Sequence, residues 1–231
     1  MLTLIALLLA PSAAPAQPQD ASKDPNVVVT NGEAIVRQAP DRALITVSVE
    51  ARAKSPRDAQ RQNAEAMTAV EQRLATARIP KDAIRTLGYD LEQEFDFVQG
   101  RRIPREYVAR NSIEVRVDEI ARVGELLDLS VQGGATSIGG VRFDLQDRGR
   151  IELDALRLAV VDARGRAEAM VAGAGRAIDR IIRIEESREA GILPMPRAMM
   201  TMKANDAASQ TPVEPGLIEI RARVTLTASM R

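Results

Sequence analysis

The sequence predicts an α+β fold: an antiparallel or mixed sheet of long strands with about three helices packed on one face, in the order ββα, ββα, βα, ββ. Three observations predict it. Seven segments read as strands, several with apolar residues at every second position, and three longer ones repeat apolar residues at helical spacing. Interleaved hairpins and helices lead to helices collected on one side of a sheet. At 231 residues and 45% hydrophobic the chain is ample for a core, and with 2% aromatic that core is aliphatic.

The first strand spans 27–37 and the second 42–53, separated by the turn composition Gln38-Ala39-Pro40-Asp41. In the second, Ala43, Ile45, Val47 and Val49 share one face. Ser55-Pro56-Arg57-Asp58 supplies an N-cap, a proline at the first helical position and an acid at the third. Ala59, Ala66, Met67, Val70, Leu74 and Ala77 form the stripe of that first helix, and Pro80 closes it. Leu87, Tyr89, Leu91, Phe95 and Phe97 alternate in phase, as do Tyr107, Ala109, Ile113, Val115 and Val117, which predicts a long hairpin. Keeping both sets on one face fits a loop of Gln99-Gly100-Arg101, pairs Phe97 with Ile103, and places Asn111 opposite Tyr89. The outer face then carries charge, with Asp96 near Arg102 and Glu92 near Arg110. Ile120, Val123, Leu127 and Val131 mark a second helix ending at Gly133-Gly134. A strand over 137–145 follows. A long helix over 149–174 buries Ile151, Leu156, Val160, Ala163, Ala167, Met170 and Val171, its small alanines permitting close packing on a sheet. Strands over 180–185 and 217–230 flank a Pro- and Met-rich loop at 187–216, far longer than the roughly 12 to 15 residues at which a loop is already unusual.

The chain has no His and no Cys. That excludes imidazole bases, thiol nucleophiles, disulfides and the common zinc, haem and iron-sulfur ligand sets. Thirty-two basic and 32 acidic residues sum to zero, so no global field draws the protein to nucleic acid or to an anionic membrane. Residues 1–16 read as a signal peptide: an apolar run from Leu2 to Ala10, then small residues ending Ala14-Pro15-Ala16, too short to span a bilayer. Residues 17–26 read as a disordered leader and 27–230 as one domain. The expected product is an exported periplasmic protein with no integral membrane span in its mature chain.

Several blocks follow one another in a recognisable order. Thr30-Asn31-Gly32-Glu33-Ala34, Ala39-Pro40-Asp41, Val47-Ser48-Val49-Glu50-Ala51 and Asn63-Ala64-Glu65-Ala66-Met67 open the series. Tyr107-Val108-Ala109-Arg110-Asn111-Ser112, Gly139-Gly140-Val141-Arg142-Phe143, Asp162-Ala163-Arg164-Gly165-Arg166-Ala167-Glu168 and Thr211-Pro212-Val213-Glu214-Pro215-Gly216 continue it. In order and spacing these resemble the SIMPL-domain family of bacterial envelope proteins, over nearly all of the mature chain. Ala34 departs from the pattern, which usually has a second glycine there. The resemblance implies a periplasmic or surface-exposed protein, large homo-oligomers, and an association with oxidative or envelope stress. It brings no catalytic residues, cofactor or metal.

Four residue groups invite a functional reading. Met195, Met199, Met200 and Met202 crowd the long loop, where thioethers could take up oxidant or Cu(I), or form a lid or an oligomer contact. Glu92, Glu94, Asp96 and Glu106 include the carboxylate pair a cell-wall glycoside hydrolase needs, but the neighbouring arginines and the scarcity of aromatic platforms favour a charge-paired strand face. Asn111 needs amide partners, and Gly139-Gly140 suits a bulge rather than a phosphate cradle. The functional expectation is a non-enzymatic, oligomeric scaffold or stress-related factor, with a methionine-based oxidant scavenger or Cu(I) binder and a carboxylate hydrolase as alternatives.

Overall fold

The computed structural model describes residues 26–187 and 211–231. Within them the predicted order is present: β1 (Val27–Gln38), β2 (Arg42–Ala53), α1 (Pro56–Thr76), β3 (Ile84–Val98), β4 (Arg101–Val117), α2 (Val123–Gln132), β5 (Ser137–Asp144), α3 (Arg148–Gly173), β6 (Ile178–Glu186) and β7 (Ile218–Met230). The fold is α+β. All strand pairs are antiparallel, and the strands divide between two sheets rather than forming one: β1-β7-β6 and β3-β4-β2-β5. Helices line one face of each.

The four-stranded sheet is built from a contiguous stretch of chain. The predicted face of β2 is its core: Ala43, Ile45, Val47 and Val49 are at most 1% exposed and meet Ile113, Val115 and Val117 of β4. α1 covers this face with Met67, Val70 and Leu74, and α2 adds Val123, Leu126 and Leu127. Ser55 caps α1 as read, its hydroxyl accepting the Asp58 N–H. Helix α2 buries Leu126 and Ser130 instead of the expected Val131, which is exposed. A 3₁₀ turn at Ile120–Arg122 precedes it, so the helical phase starts at Val123 and runs through 126, 127 and 130.

The three-stranded sheet joins the first strand to the last: Val27 pairs with Ser229 and Gln38 with Ile218. Its inner face packs on α3, which presents Ile151, Ala155, Ala159, Ala163, Ala167 and Val171 at four-residue intervals. Expected core residue Met170 is exposed, because the buried stripe is this row of alanines. The row lets β1 come close. A Cβ on Gly32 would lie 2.2 Å from the Ala159 carbonyl oxygen and 2.3 Å from the Ala163 nitrogen. Beside it the Thr30 hydroxyl donates to the Ala163 carbonyl at 3.1 Å, and the Glu33 N–H donates to Asp162 at 3.0 Å. Ala34 lies in unbroken register opposite Ala222, so no left-handed residue is needed there.

The chain passes between the sheets at 39–41 and at 145–147, and these two passages are bonded together. Asp41 N–H donates to Asp144, and the Gln146 N–H donates to the Asp41 carboxylate. A third passage at 211–217 crosses α2: Thr211 bonds Asp128 through its hydroxyl at 2.7 Å, and its carbonyl would stand 2.4 Å from a Cβ on Gly124. The segment read as a signal peptide at 1–16, the expected leader at 17–26 except Asn26, and most of the 187–216 loop, with Met195, Met199, Met200 and Met202, lie outside the described residues.

Candidate functional site

The hairpin β3–β4 carries the densest chemistry. Tyr89 pairs with Asn111 as expected. Toward the turn the register changes: Gln93 pairs with Tyr107 but Phe95 with Pro104, so Arg105 and Glu106 together oppose Glu94. This β-bulge adds one residue to β4 and rotates the rest of that strand by one face. The loop is therefore the two-residue Gln99-Gly100, both at positive φ, and Phe97 pairs with Arg102 rather than Ile103. Asp96 and Arg102 fall on opposite faces, and Asp96 meets Arg105 at 3.5 Å instead.

Below the bulge, Arg110 is the hub of a charge lattice on the helix-free face. Its guanidinium donates to Glu50 at 2.9 Å, Glu92 at 2.6 Å, Glu94 at 3.2 Å and Asp90 at 3.3 Å. Arg52 bridges Glu94 at 2.6 Å and Glu50 at 2.8 Å. Hydrogen bonds from Arg110 and then Arg52 hold the Glu50 carboxyl below the ordinary glutamate range, while Glu92 and Glu50 push the Arg110 guanidinium still higher. Val108, between Arg52 and Glu92 in the ladder, is fully buried there. Glu50 so held is an acceptor for arginine. A general acid needs the opposite, a proton retained near neutral pH.

Two amides lie on the helix-covered face, of which Asn111 of β4 is half-buried. Asn63 of α1, fully buried, donates through Nδ2 to the carbonyls of Val49 at 2.8 Å and Ala109 at 3.0 Å, riveting the helix across the β2–β4 seam. Its Oδ1 and that of Asn111 are buried without a partner. Neither site gathers a metal: no group of three or more Asp or Glu side chains placed to hold one occurs among the described residues.

Of the sequence-predicted residues, Glu92 and Glu94 are brought together by Arg110, Asp96 stands out on the hairpin, and Glu106 sits in the bulge with no ion pair among the described residues. Gly139 is the bulge residue of β5 opposite the Thr46/Val47 step, with Gly140 at φ +130.

The family model SIMPL, described as a protein of unknown function (DUF541), matches residues 28–228. The chain belongs to the SIMPL family. Among its relatives, the 26 kDa periplasmic immunogenic protein of Brucella abortus is 29% identical over 208 residues, 87% of this chain and 83% of that one. The protein of the same name from Brucella melitensis is 28% identical over the same shares. The uncharacterized protein YggE of Escherichia coli K12 is 25% identical over 206 residues, 88% of this chain and 81% of the relative.

The blocks that carried the SIMPL resemblance sit where elements are joined. Thr30 to Glu33 grip α3, Asn63 rivets α1, Arg110 and Asn111 share the hairpin, and Thr211 straps α2. Asn63 and Glu50 were missed as site residues by sequence reasoning. Asn63 had a signal: it falls four residues from both Ala59 and Met67, a polar residue on the apolar stripe. Glu50 had none, since cross-strand partners of β2 are not written in β2.

Proposed function

We propose that this protein is an exported periplasmic envelope component without catalytic activity, acting as an oligomeric scaffold or stress-related factor. The observation that carries the reading is the edge of the three-stranded sheet. Helix α3 covers β1 and β7 and leaves β6 largely bare, so Ile181, Ile182 and Ile184 stand 40%, 49% and 46% exposed on a strand that, among the described residues, is paired on one side only. A bare ladder edge flanked by β-branched side chains is a template for another strand, and a second copy of this chain supplies one. The name of the Brucella relatives supports the compartment. The hairpin carboxylates Glu92 and Glu94 are both bonded to the Arg110 guanidinium, an arrangement unlike the free carboxylate pair that a glycoside hydrolase sets either side of its substrate.

Light scattering on the purified chain tests the reading. It should report a mass well above one chain, and Ile181→Lys with Ile184→Lys should return it to a single chain. A wild-type protein that stays at single-chain mass across the accessible concentration range overturns the scaffold role. Met195, Met199, Met200 and Met202 enter the same preparation as a separate question: replacing all four by Leu keeps apolar volume and deletes the sulfur. Loss of peroxide protection in cells with assembly intact would move the function from scaffold to oxidant scavenger.

A further inference from the structure

The end of the β3–β4 hairpin stands apart from both cores. Strand β2 ends at Ala53 opposite Tyr107, so among the described residues β4 residues 101–106 pair only with β3 and form a two-stranded ribbon beyond the sheet. Ribbons of this kind are marginal in water by themselves. Here the ribbon also exposes its apolar residues: Phe97 is 76% exposed, Val98 51% and Ile103 46%.

The bulge distributes these residues in a specific way. Phe95, Phe97, Arg102 and Pro104 share one face, and Asp96, Val98, Arg101 and Ile103 the other. Each face therefore combines apolar groups with an arginine. Neither Arg101 nor Arg102 has a carboxylate partner among the described residues, whereas Asp96 is answered by Arg105. The contrast is with Arg110 at the ribbon's base, which meets four carboxylates. Arg102 folds back from the turn and lies 3.5 Å over the Phe95 ring.

A flat protein partner would bury one face of this ribbon and leave the other face in water. A medium that surrounds the tip buries both. The Arg102 stem, which runs back from an apolar tip and sets its guanidinium toward the base over Phe95, matches a phospholipid interface, where the stem lies among acyl chains and the charge reaches the phosphates. The zero net charge of the whole chain does not oppose this, because attraction to an anionic surface acts within a Debye length and so on the nearest cations. We propose that the hairpin tip docks on an anionic bilayer surface, with Phe97, Val98 and Ile103 entering the interface and Arg101 and Arg102 engaging lipid phosphates. This inference does not depend on the scaffold reading.

The absence of tryptophan from the chain provides a local test. Phe97→Trp in the full chain places a single indole at the tip, where it replaces an exposed ring. If its far-UV circular dichroism departs from wild type, Val98→Trp takes its place. Titrated with vesicles of phosphatidylethanolamine and phosphatidylglycerol, the indole emission should shift to the blue and be quenched by brominated acyl chains. Adding Arg101→Gln and Arg102→Gln should weaken that transition about 25-fold, about fivefold per arginine near an anionic surface. An indole that stays water-exposed with these vesicles overturns the proposal. So does a shift of equal affinity on phosphatidylcholine vesicles, or one untouched by the arginine changes. A shift that needs no vesicles and grows with protein concentration assigns the tip to a second copy and also overturns it.

Discussion

Gly32→Ala adds one methyl group where β1 approaches α3 closely. The new Cβ would sit 2.2 Å from the Ala159 oxygen, and such contacts are essentially never under 3.0 Å, so strand and helix must part by at least the difference, 0.8 Å. The obstacle is backbone on both sides, which no rotamer change relieves. A gap of this size forfeits about a quarter to a half of the dispersion well along the contact. It also stretches the 3.1 Å bond from the buried Thr30 hydroxyl beyond hydrogen-bonding range, at about 1 to 3 kcal/mol. With an overpacking cost of about 1 to 3 kcal/mol, the expected destabilisation is about 2 to 6 kcal/mol. Urea denaturation followed by circular dichroism measures it. The control is the same chemical change on the opposite partner: Gly165 lies inside α3 with no atom within 4 Å of its would-be Cβ, so Gly165→Ala should stabilise by about 1 kcal/mol through helix propensity. If Gly32→Ala keeps the wild-type midpoint, or both changes destabilise alike, the close-approach argument is wrong.

Val47→Glu, at a position with no exposed surface, should cost several kcal/mol by burying an unpaired charge, and a variant of wild-type melting temperature would contradict the β2 register. Asn63→Asp should destabilise more than Asn63→Leu, because a carboxylate would face the Val49 and Ala109 carbonyls with no proton to donate; the gap should widen in chemical denaturation as pH rises through the aspartate's titration. The Glu50 pKa is lowered on folding, so its contribution is complete above the ordinary value of about 4.5 and is lost as pH falls through its lower folded value. Glu50→Gln should flatten stability against pH in that acid window alone, and an unchanged profile would remove Glu50 from the lattice.

Local structure was legible because it is written locally. The alternation of β2 located a strand at 42–53 and the core face it presents, and Ser55-Pro56 located the start of α1. What escaped depends on partners distant in the chain. The pairing of β1 with β7 leaves no mark in either strand, so one sheet was expected where two exist. The bulge at Arg105–Glu106 sits in a run of charged residues that alternation cannot phase, and the hairpin tip was therefore read one face out. In the site, the pairing of Glu92 with Arg110 followed from approximate register, whereas Glu50 and Arg52 enter from a strand whose neighbour only tertiary structure defines.

The division into two sheets carries a consequence for the order of folding. Every strand of β3-β4-β2-β5 lies between Arg42 and Asp144, so that unit can close as soon as this stretch of chain is free. The other sheet cannot, because Val27 must find Ser229, and the entropy of closing so long a loop falls due before any contact offsets it. A chain that emerges from its N-terminus therefore holds β1 unpaired, with Val28 still uncovered, until its final strand arrives. During that interval β1 is the segment most open to capture by a chaperone, a protease or another nascent copy, and removing even the last few residues of β7 should trap the protein there.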